Sequence, residues 1–397
     1  MRPFTATSLA VCLFAWSLPA AATTPDGKIS PELSRAFADS PDGRAEILVV
    51  MAEQADLAPA TYLHGKTAHG AFVFERLRET TRRTQAPLLA ELKQLGVPYR
   101  SFWVANFVWT QGDLALAARL AEREDVARLD ANPRMVLEQP VLGPGDFDAP
   151  VSPDAIEWNI SWVDAPQVWA LGYTGQGVVI AGQDTGYQWD HPALKPHYRG
   201  WSGSSADHNY NWHDAIHSGG GVCGPNSLFP CDDYGHGTHT MGTMVGDDGG
   251  ANQIGMAPGA KWIGCRNMDQ GNGTPTTYSE CFQWFIAPTD LNDQNPNPAL
   301  SPDVINDSWV CPPSEGCTTP DILRTVVENT RAAGIVVVAS AGNSGSACST
   351  VADPPAIYDA SFSVGATSDH SDAIAGFSSR GPVTVDGSNR MKPDIAA

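Results

Sequence analysis

A chain of 397 residues has the length of two or three ordinary domains, and 42% hydrophobic with 17% charged residues excludes a disordered acidic polymer or a coiled coil. Its 24 Lys+Arg stand against 44 Asp+Glu, a formal net charge of −20, and no basic run extends beyond pairs such as Arg82-Arg83. A nucleic-acid partner, which needs a cationic face for phosphate, is therefore excluded. With 38 Gly and 31 Pro, loops are abundant.

Residues 1–22 read as a signal peptide: one basic residue, an apolar stretch from Leu9 to Leu18, then Ala20-Ala21-Ala22 at a small-residue cleavage point. The mature chain then starts near Thr23. Cys12 follows Val11 rather than a small residue, and the apolar run continues past it, which disfavours a lipid anchor. No later stretch is apolar for long enough to span a bilayer, so an exported protein without stable membrane association is expected, extracellular or periplasmic.

Residues 23–139 read as a small α+β unit. They contain no cysteine, and residues 23–149 carry nearly balanced charge, 14 basic against 18 acidic side chains. Glu46–Met51 is a strand candidate, and Phe72–Leu95 carries Phe74, Leu77, Thr81, Leu88, Leu92 and Leu95 near helical spacing, with Pro87 expected to kink or split the helix. Ser101–Thr110 is a second strand. Asp113 caps a helix over Leu114–Arg123, and Val126–Leu137 supplies one or two more strands. The expected order is strand, helix, strand, helix, strand. A turn-rich linker over 140–154 follows.

Residues 155–397 form a second unit of different character; from residue 150 onward, 26 acidic side chains face only 9 basic ones. Gly177–Gly182 and Gly334–Ala339 are short β-branched runs of the kind buried in a parallel sheet, and the second follows a helix expected over Pro320–Ala333 with Thr319 as its cap. A helix feeding a buried strand predicts an α/β unit with a mostly parallel sheet flanked by helices, whose chemistry gathers at the carboxyl ends of the strands. Seven cysteines lie here. Their spacing suggests Cys223 with Cys231, Cys265 with Cys281 and Cys311 with Cys317, leaving Cys348 over as a free thiol, a competitor for one of these pairings, or the partner of a residue elsewhere.

Three motifs carry chemistry. Asp184 follows the first buried strand in Gln183-Asp184-Thr185-Gly186, where a rigid carboxylate suits the orientation of an imidazole, although Asp before Gly is also ordinary turn chemistry. His236 stands between glycines in Gly235-His236-Gly237-Thr238-His239, ahead of small residues that suit a buried helix. His236 and His239 with Asp184 offer an alternative metal site, but HxxH lacks the intervening Glu of the zinc hydrolases. Asn343, in Ser340-Ala341-Gly342-Asn343-Ser344, can aim an amide donor at a developing oxyanion or simply form a turn.

The order Asp, His, Asn at such boundaries resembles the subtilisin-like serine peptidases, or subtilases. The resemblance runs from about Trp158 to Ala397 and includes Asp164–Trp169, Gly175–Val178, Gly255–Ala260, Ile305–Trp309 and Phe377–Gly381. The insert Cys311–Cys317 is most similar to the bacillopeptidase F-like branch. The resemblance implies that Asp184 orients His236, that His236 is general base and acid, and that Asn343 donates to the oxyanion. It also implies that Ser308-Trp309-Val310 and Ser340-Ala341-Gly342 pair with extended protein or peptide substrates. The first unit then resembles a subtilase propeptide, a ferredoxin-like domain that assists folding and occupies the cleft until it is cleaved within 140–154.

Three departures from the family pattern stand out. In the family a segment like Lys392–Ala397 is followed downstream by Gly-Thr-Ser-Met-Ala, whose Ser is the nucleophile; no serine within residues 150–397 has that context. The sequence is thus expected to be a truncated, inactive portion of a secreted endopeptidase precursor. The alternative is a non-catalytic relative that binds peptides or proteases. Val310 replaces a usual Gly and is expected to narrow the substrate groove. The chemistry implied needs no cofactor; Ala193 replaces a calcium-binding Asp, so a structural calcium lacks support there, and the pair Asp247-Asp248, which could serve a calcium elsewhere, reads as surface acid.

Overall fold

The computed structural model describes residues 25–137, 156–250, 253–317, 319–368 and 371–397. The signal-peptide reading of 1–22, Cys12 and the linker over 140–154 fall outside these residues.

Ser30 and Pro31 start the first helix, α1 (Pro31–Asp39): the serine oxygen accepts the Leu33 amide at 3.1 Å, satisfying one donor of the open first turn. Leu33 and Phe37, one turn apart, bury its inner face. This helix is absent from the expected order. Next come β1 (Arg44–Met51), α2 (Lys66–Leu95), β2 (Tyr99–Phe102), β3 (Phe107–Asp113), α3 (Leu114–Ala121) and β4 (Val126–Ala131). The antiparallel sheet runs β2-β3-β1-β4, the ferredoxin-like arrangement. Asp113 caps α3 as expected, accepting the Leu116 amide at 2.9 Å.

Two expectations are corrected. Pro87 does not split α2, which runs unbroken from Lys66 to Leu95. The proline lies on the exposed face, so the Arg83 carbonyl that loses its amide partner is open to water, while Gln85, Leu88 and Leu92 anchor the opposite face. The single strand over 101–110 is a hairpin instead, broken where Asn106 takes a positive φ of 43° and its amide nitrogen donates to the Glu53 carbonyl at 2.6 Å.

Beyond the first sheet lie β5 (Met135–Val136), α4 (Trp158–Trp162), α5 (Ala165–Ala170), β6 (Val179–Asp184), β7 (Trp212–Asp214), α6 (His236–Val245) and β8 (Lys261–Arg266). They are followed by β9 (Met268–Asp269), β10 (Asn272–Gly273), α7 (Pro275–Ile286), β11 (Val304–Asp307), α8 (Arg324–Ala332), β12 (Val336–Ser340), β13 (Ser361–Gly365) and β14 (Ile395–Ala396). Seven strands form one wholly parallel sheet in the order β14-β13-β12-β11-β6-β8-β7. Parallel pairing sends every carboxyl end to the same edge, with β6 near the centre.

Helix α7 is buried on nearly every side because it is covered twice, by the parallel sheet beneath and the first unit above. Phe282 and Tyr278 share one core with Leu48, Phe102 and Phe107 of the first unit and with Val326 and Val327 of α8. On the other face of the sheet, Met241 and Val245 of α6 pack against Ile180, Tyr187 and Trp262. Helix α8 begins at Arg324, not Pro320, and Thr319 does not cap it. The Leu323 amide donates to the Tyr358 hydroxyl at 3.2 Å, a partner outside the helix that holds the preceding residues in a turn.

The bonded cysteine pairs are Cys223–Cys231, Cys265–Cys281 and Cys311–Cys317, and Cys348 is a free, exposed thiol. Among the described residues no helix is long and apolar enough to cross a membrane.

Candidate active site

β6 ends on Asp184, which is 1% exposed and receives the Thr185 amide at 2.7 Å. α6 begins on His236, whose Nδ1 lies 2.8 and 2.9 Å from the two Asp184 oxygens. With Nδ1–H donating to that carboxylate, the neutral ring keeps Nε2 as its basic nitrogen. Burial disfavours protonation of His236, but the hydrogen bond and charge of Asp184, with the charge of Asp232, outweigh it and raise the pKa above its ordinary value.

Glycine permits this approach. A Cβ on Gly237 would lie 2.2 Å from the Gly186 carbonyl oxygen and 3.0 Å from Asp184 Cβ. Gly237→Ala is therefore expected to push α6 away from β6. NMR titration of His236 would show its midpoint falling toward that of a free imidazole, and activity of any extended, competent enzyme would fall at least about a hundredfold.

Asp232 holds the loop before His236. One of its oxygens accepts from Thr185 Oγ1 at 2.9 Å and from the Tyr234 and Gly235 amides at 3.0 and 2.8 Å; the other accepts the Thr238 amide at 3.0 Å and the Thr238 hydroxyl. One carboxylate thus fastens the residue after Asp184 to both sides of His236. The sequence reading gave Asp232 no role, although an Asp just ahead of a helix start is a recognisable capping signal. Arg266, at the end of β8, was missed too. It is fully buried, pairs with Asp214 at 2.9 and 2.8 Å, and reaches Asp233 at 3.3 Å.

β11 and β12 leave the sheet at the same edge as Asp184, in register Asn306↔Gly182 and Asp307↔Ala339. Ser308, Trp309 and Val310 follow β11. Trp309 turns its indole inward, stacked on Tyr278 at 3.8 Å with Nε1 donating to the Gln183 carbonyl, so only its backbone remains for a ligand. Ser340, Ala341, Gly342 and half-buried Asn343 follow at the end of β12; this loop is clipped by Ser379, whose amide donates to Gly342 and whose Oγ accepts from Ser344. A Cβ on Gly342, at φ +98°, would be 3.7 Å from Val310 Cγ1, so the valine side chain lies close to the segment that follows β12. Beneath them, fully buried Asp307 accepts from Gln183 Nε2 at 2.8 Å, and burial pushes its carboxyl well above the usual range.

A segment of the first unit occupies a neighbouring edge. Met135–Val136 pairs antiparallel with Asn272–Gly273, and the Leu137 amide donates to Gly271 at 2.7 Å. Met135 and Leu137 are buried, whereas Val136 between them is exposed. This added strand advances toward the His236 loop, because a Cβ on Gly271 would lie 3.2 Å from the Tyr234 ring.

His239 is exposed on α6, and His236 commits Nδ1 to Asp184. Among the described residues no group of three or more His, Cys, Asp or Glu is placed to hold a metal ion. Ala193 is buried, and Asp247 and Asp248 each accept the amide two residues on, at 2.8 and 2.7 Å.

The sequence profile of the subtilase family matches residues 175–397. Bacillopeptidase F of Bacillus subtilis (strain 168) is 41% identical over 252 residues, covering 62% of this chain and 16% of its own length. Subtilisin E of the same organism is 31% identical over 229 residues, 57% of this chain and 50% of its own length. The chain therefore spans half or less of these relatives. The solved structure of the epidermin leader peptide processing serine protease (EpiP) from Staphylococcus aureus shares the fold, with a TM-score of 0.56 at 16% identity, covering 89% of this chain and 74% of that one.

Proposed function

Because the chain belongs to the subtilase family, we propose that it is the amino-terminal part of a secreted serine endopeptidase precursor, which cleaves protein or peptide substrates through an acyl-enzyme. The observation that carries this reading is the Asp184–His236 pair at the carboxyl edge of the parallel sheet, beside the ends of β11 and β12. In it, Asp184 fixes the tautomer, His236 Nε2 takes the nucleophile's proton and returns it to the leaving amine, and Asn343 donates to the oxyanion. The segments 308–310 and 340–342 pair with the substrate backbone, and Val310 disfavours large residues there.

Residues 25–137 act in this reading as the prodomain, folding aid and inhibitor. The strand that Met135–Leu137 adds to Gly271–Gly273 supports that role, since it is the pose of an extended peptide directed at His236.

The nucleophile belongs to a Gly-Thr-Ser segment downstream of Ala397, and the reading frame beyond that residue tests the proposal directly. A stop codon with no such segment overturns it. Residues 1–397 alone are expected to stay unlabelled by a fluorophosphonate probe, and the extended chain to be labelled.

A base must be unprotonated to accept a proton. Since the His236 pKa lies above its ordinary 6.5, kcat/KM of the extended enzyme should rise with pH through a midpoint above 6.5. A pH–rate profile with its acid limb below that value contradicts the assignment of His236 as base.

A further inference from the structure

Among the contacts between the first unit and α7 is one carboxylate that takes no part in the Asp184–His236 site. Glu280 accepts from Arg100 Nη1 of β2 at 2.9 Å, and the same carboxylate lies 3.0 Å from His213 Nε2 and 2.8 and 3.0 Å from His217 Nε2. The other nitrogen of each ring also faces an oxygen: His213 Nδ1 is 3.4 Å from Asp293, and His217 Nδ1 is 2.6 Å from Asn226 Oδ1. Both rings thus have acceptors for two protons. All of these acceptors lie in the second unit.

What docking adds is burial and charge. The cluster lines a cleft of about 690 Å³ between the units, faced by Arg78 and Arg82 of α2, Arg100 of β2, Glu280 of α7 and Asp293. In the adjoining cleft shared by His217 stand Glu46 of β1, Arg134 and Asp269. Cations predominate on the side of the first unit, and its one carboxylate here, Glu46, is occupied by Trp109 Nε1 and Asn132 Nδ2.

Resting on the reading of residues 25–137 as an inhibitory prodomain, we propose that His213 and His217 form a proton-binding site on the catalytic unit that controls prodomain docking, loosening it when protonated and tightening it when neutral. With both rings neutral, Glu280 and Asp293 present two negative charges to the arginines of the first unit, Glu280 directly to Arg100. With both protonated, their charges cancel those of the two carboxylates, and the attraction for Arg100, Arg78 and Arg82 is lost. Linkage makes the effect reciprocal: a docked cation that weakens proton binding is itself weakened by the proton to the same factor. The Glu280 hydrogen bond raises the His217 pKa above its ordinary value, and Arg100 opposes that rise, so docking strengthens as pH increases through and above 6.5.

Hydrogen exchange on the whole chain reads docking directly, because the Trp103 and Val104 amides donate to Gln283 Oε1 of α7 at 2.6 and 3.3 Å. After correction for intrinsic rates, their protection is expected to fall at least about tenfold between about pH 8 and about pH 5.5, and less than about twofold in the His213→Gln, His217→Gln double variant. Undiminished protection at acid pH, or an equal loss in the double variant, overturns the proposal. Should that variant not fold, NMR titration of His217 in Arg100→Gln decides: its midpoint rises if Arg100 opposes the proton, and an unchanged or lower midpoint refutes it. The prodomain reading fails separately, if the docked unit leaves a peptide inhibitor free to bind at a single pH; the proton dependence of docking would survive that result.

Discussion

His236→Ala in the extended enzyme is expected to lower kcat about a millionfold, and Asp184→Asn about ten-thousandfold. These magnitudes are the ones general to Ser-His-Asp triads, subtilisin's included, while the direction of each effect follows from the contacts of this site. Without the imidazole, nothing among the residues bonded to Asp184 can accept a proton: its other partner is the Thr185 amide, a donor only. The asparagine acts more subtly. Its amide nitrogen would face His236 Nδ1 as a donor, so the ring would turn its acceptor inward and leave the proton on Nε2, where the base must be empty. Saturating kcat on a peptide substrate measures both, with thermal melting confirming that each variant folds. A loss under about tenfold for His236→Ala would remove His236 from the chemistry.

What could be read in the sequence depended on how local its physical cause is. Asp184 and His236 stood out because glycines and small residues around a polar group are themselves the signature of close approach; Gly237 and Gly186 are where a Cβ would collide. The cap at Asp113 and the neighbouring cysteine pairs were legible for the same reason, each partner lying within a few residues to about four helical turns of the other. The start of α8 was misread because Tyr358 takes the Leu323 amide from 35 residues away. That Pro87 leaves α2 unsplit was not legible, because it depends on which face of α2 meets water. The His213–Glu280–Arg100 cluster gave no signal, since three separated segments assemble it only after the first unit packs on α7. Asp232 lay inside the recognised motif, but its role depends on Thr185, 47 residues earlier.

Arg266→Met is expected to destabilise the protein by about 3–5 kcal/mol, the loss typical of removing one partner from a buried ion pair. The guanidinium is fully buried and every contact is charge-assisted: two hydrogen bonds to Asp214, one to Asp233, and two to the Gly220 and Gly224 carbonyls. Methionine fills much of the volume but leaves the Asp214 and Asp233 side chains, 2% and 1% exposed, without their cation. Burial already pushes the Asp233 carboxyl above its usual range, and Arg266 restrains that rise. Removing the arginine lets the Asp233 carboxyl rise further above its unfolded value. A carboxyl raised in this way stabilises the fold below its unfolded pKa and forfeits that stability as pH increases, so the variant's deficit should be larger at pH 8 than at pH 5. Urea midpoints at the two pH values measure it; a deficit under about 1 kcal/mol, or one that grows on acidification, would mean that water reaches the cluster and the pair is not the anchor its burial indicates. The damage should also extend beyond stability. Asp233 adjoins Asp232, and Asp214 holds the Ile216 and Ser227 amides at 3.1 and 2.6 Å, so the segment leading to His236 loses its tether along with the charge. Adding Asp214→Asn to Arg266→Met should recover part of the stability, because one unpaired charge is then gone while an amide oxygen remains for one of the two backbone donors, without restoring the rate, because the arginine tether is not restored.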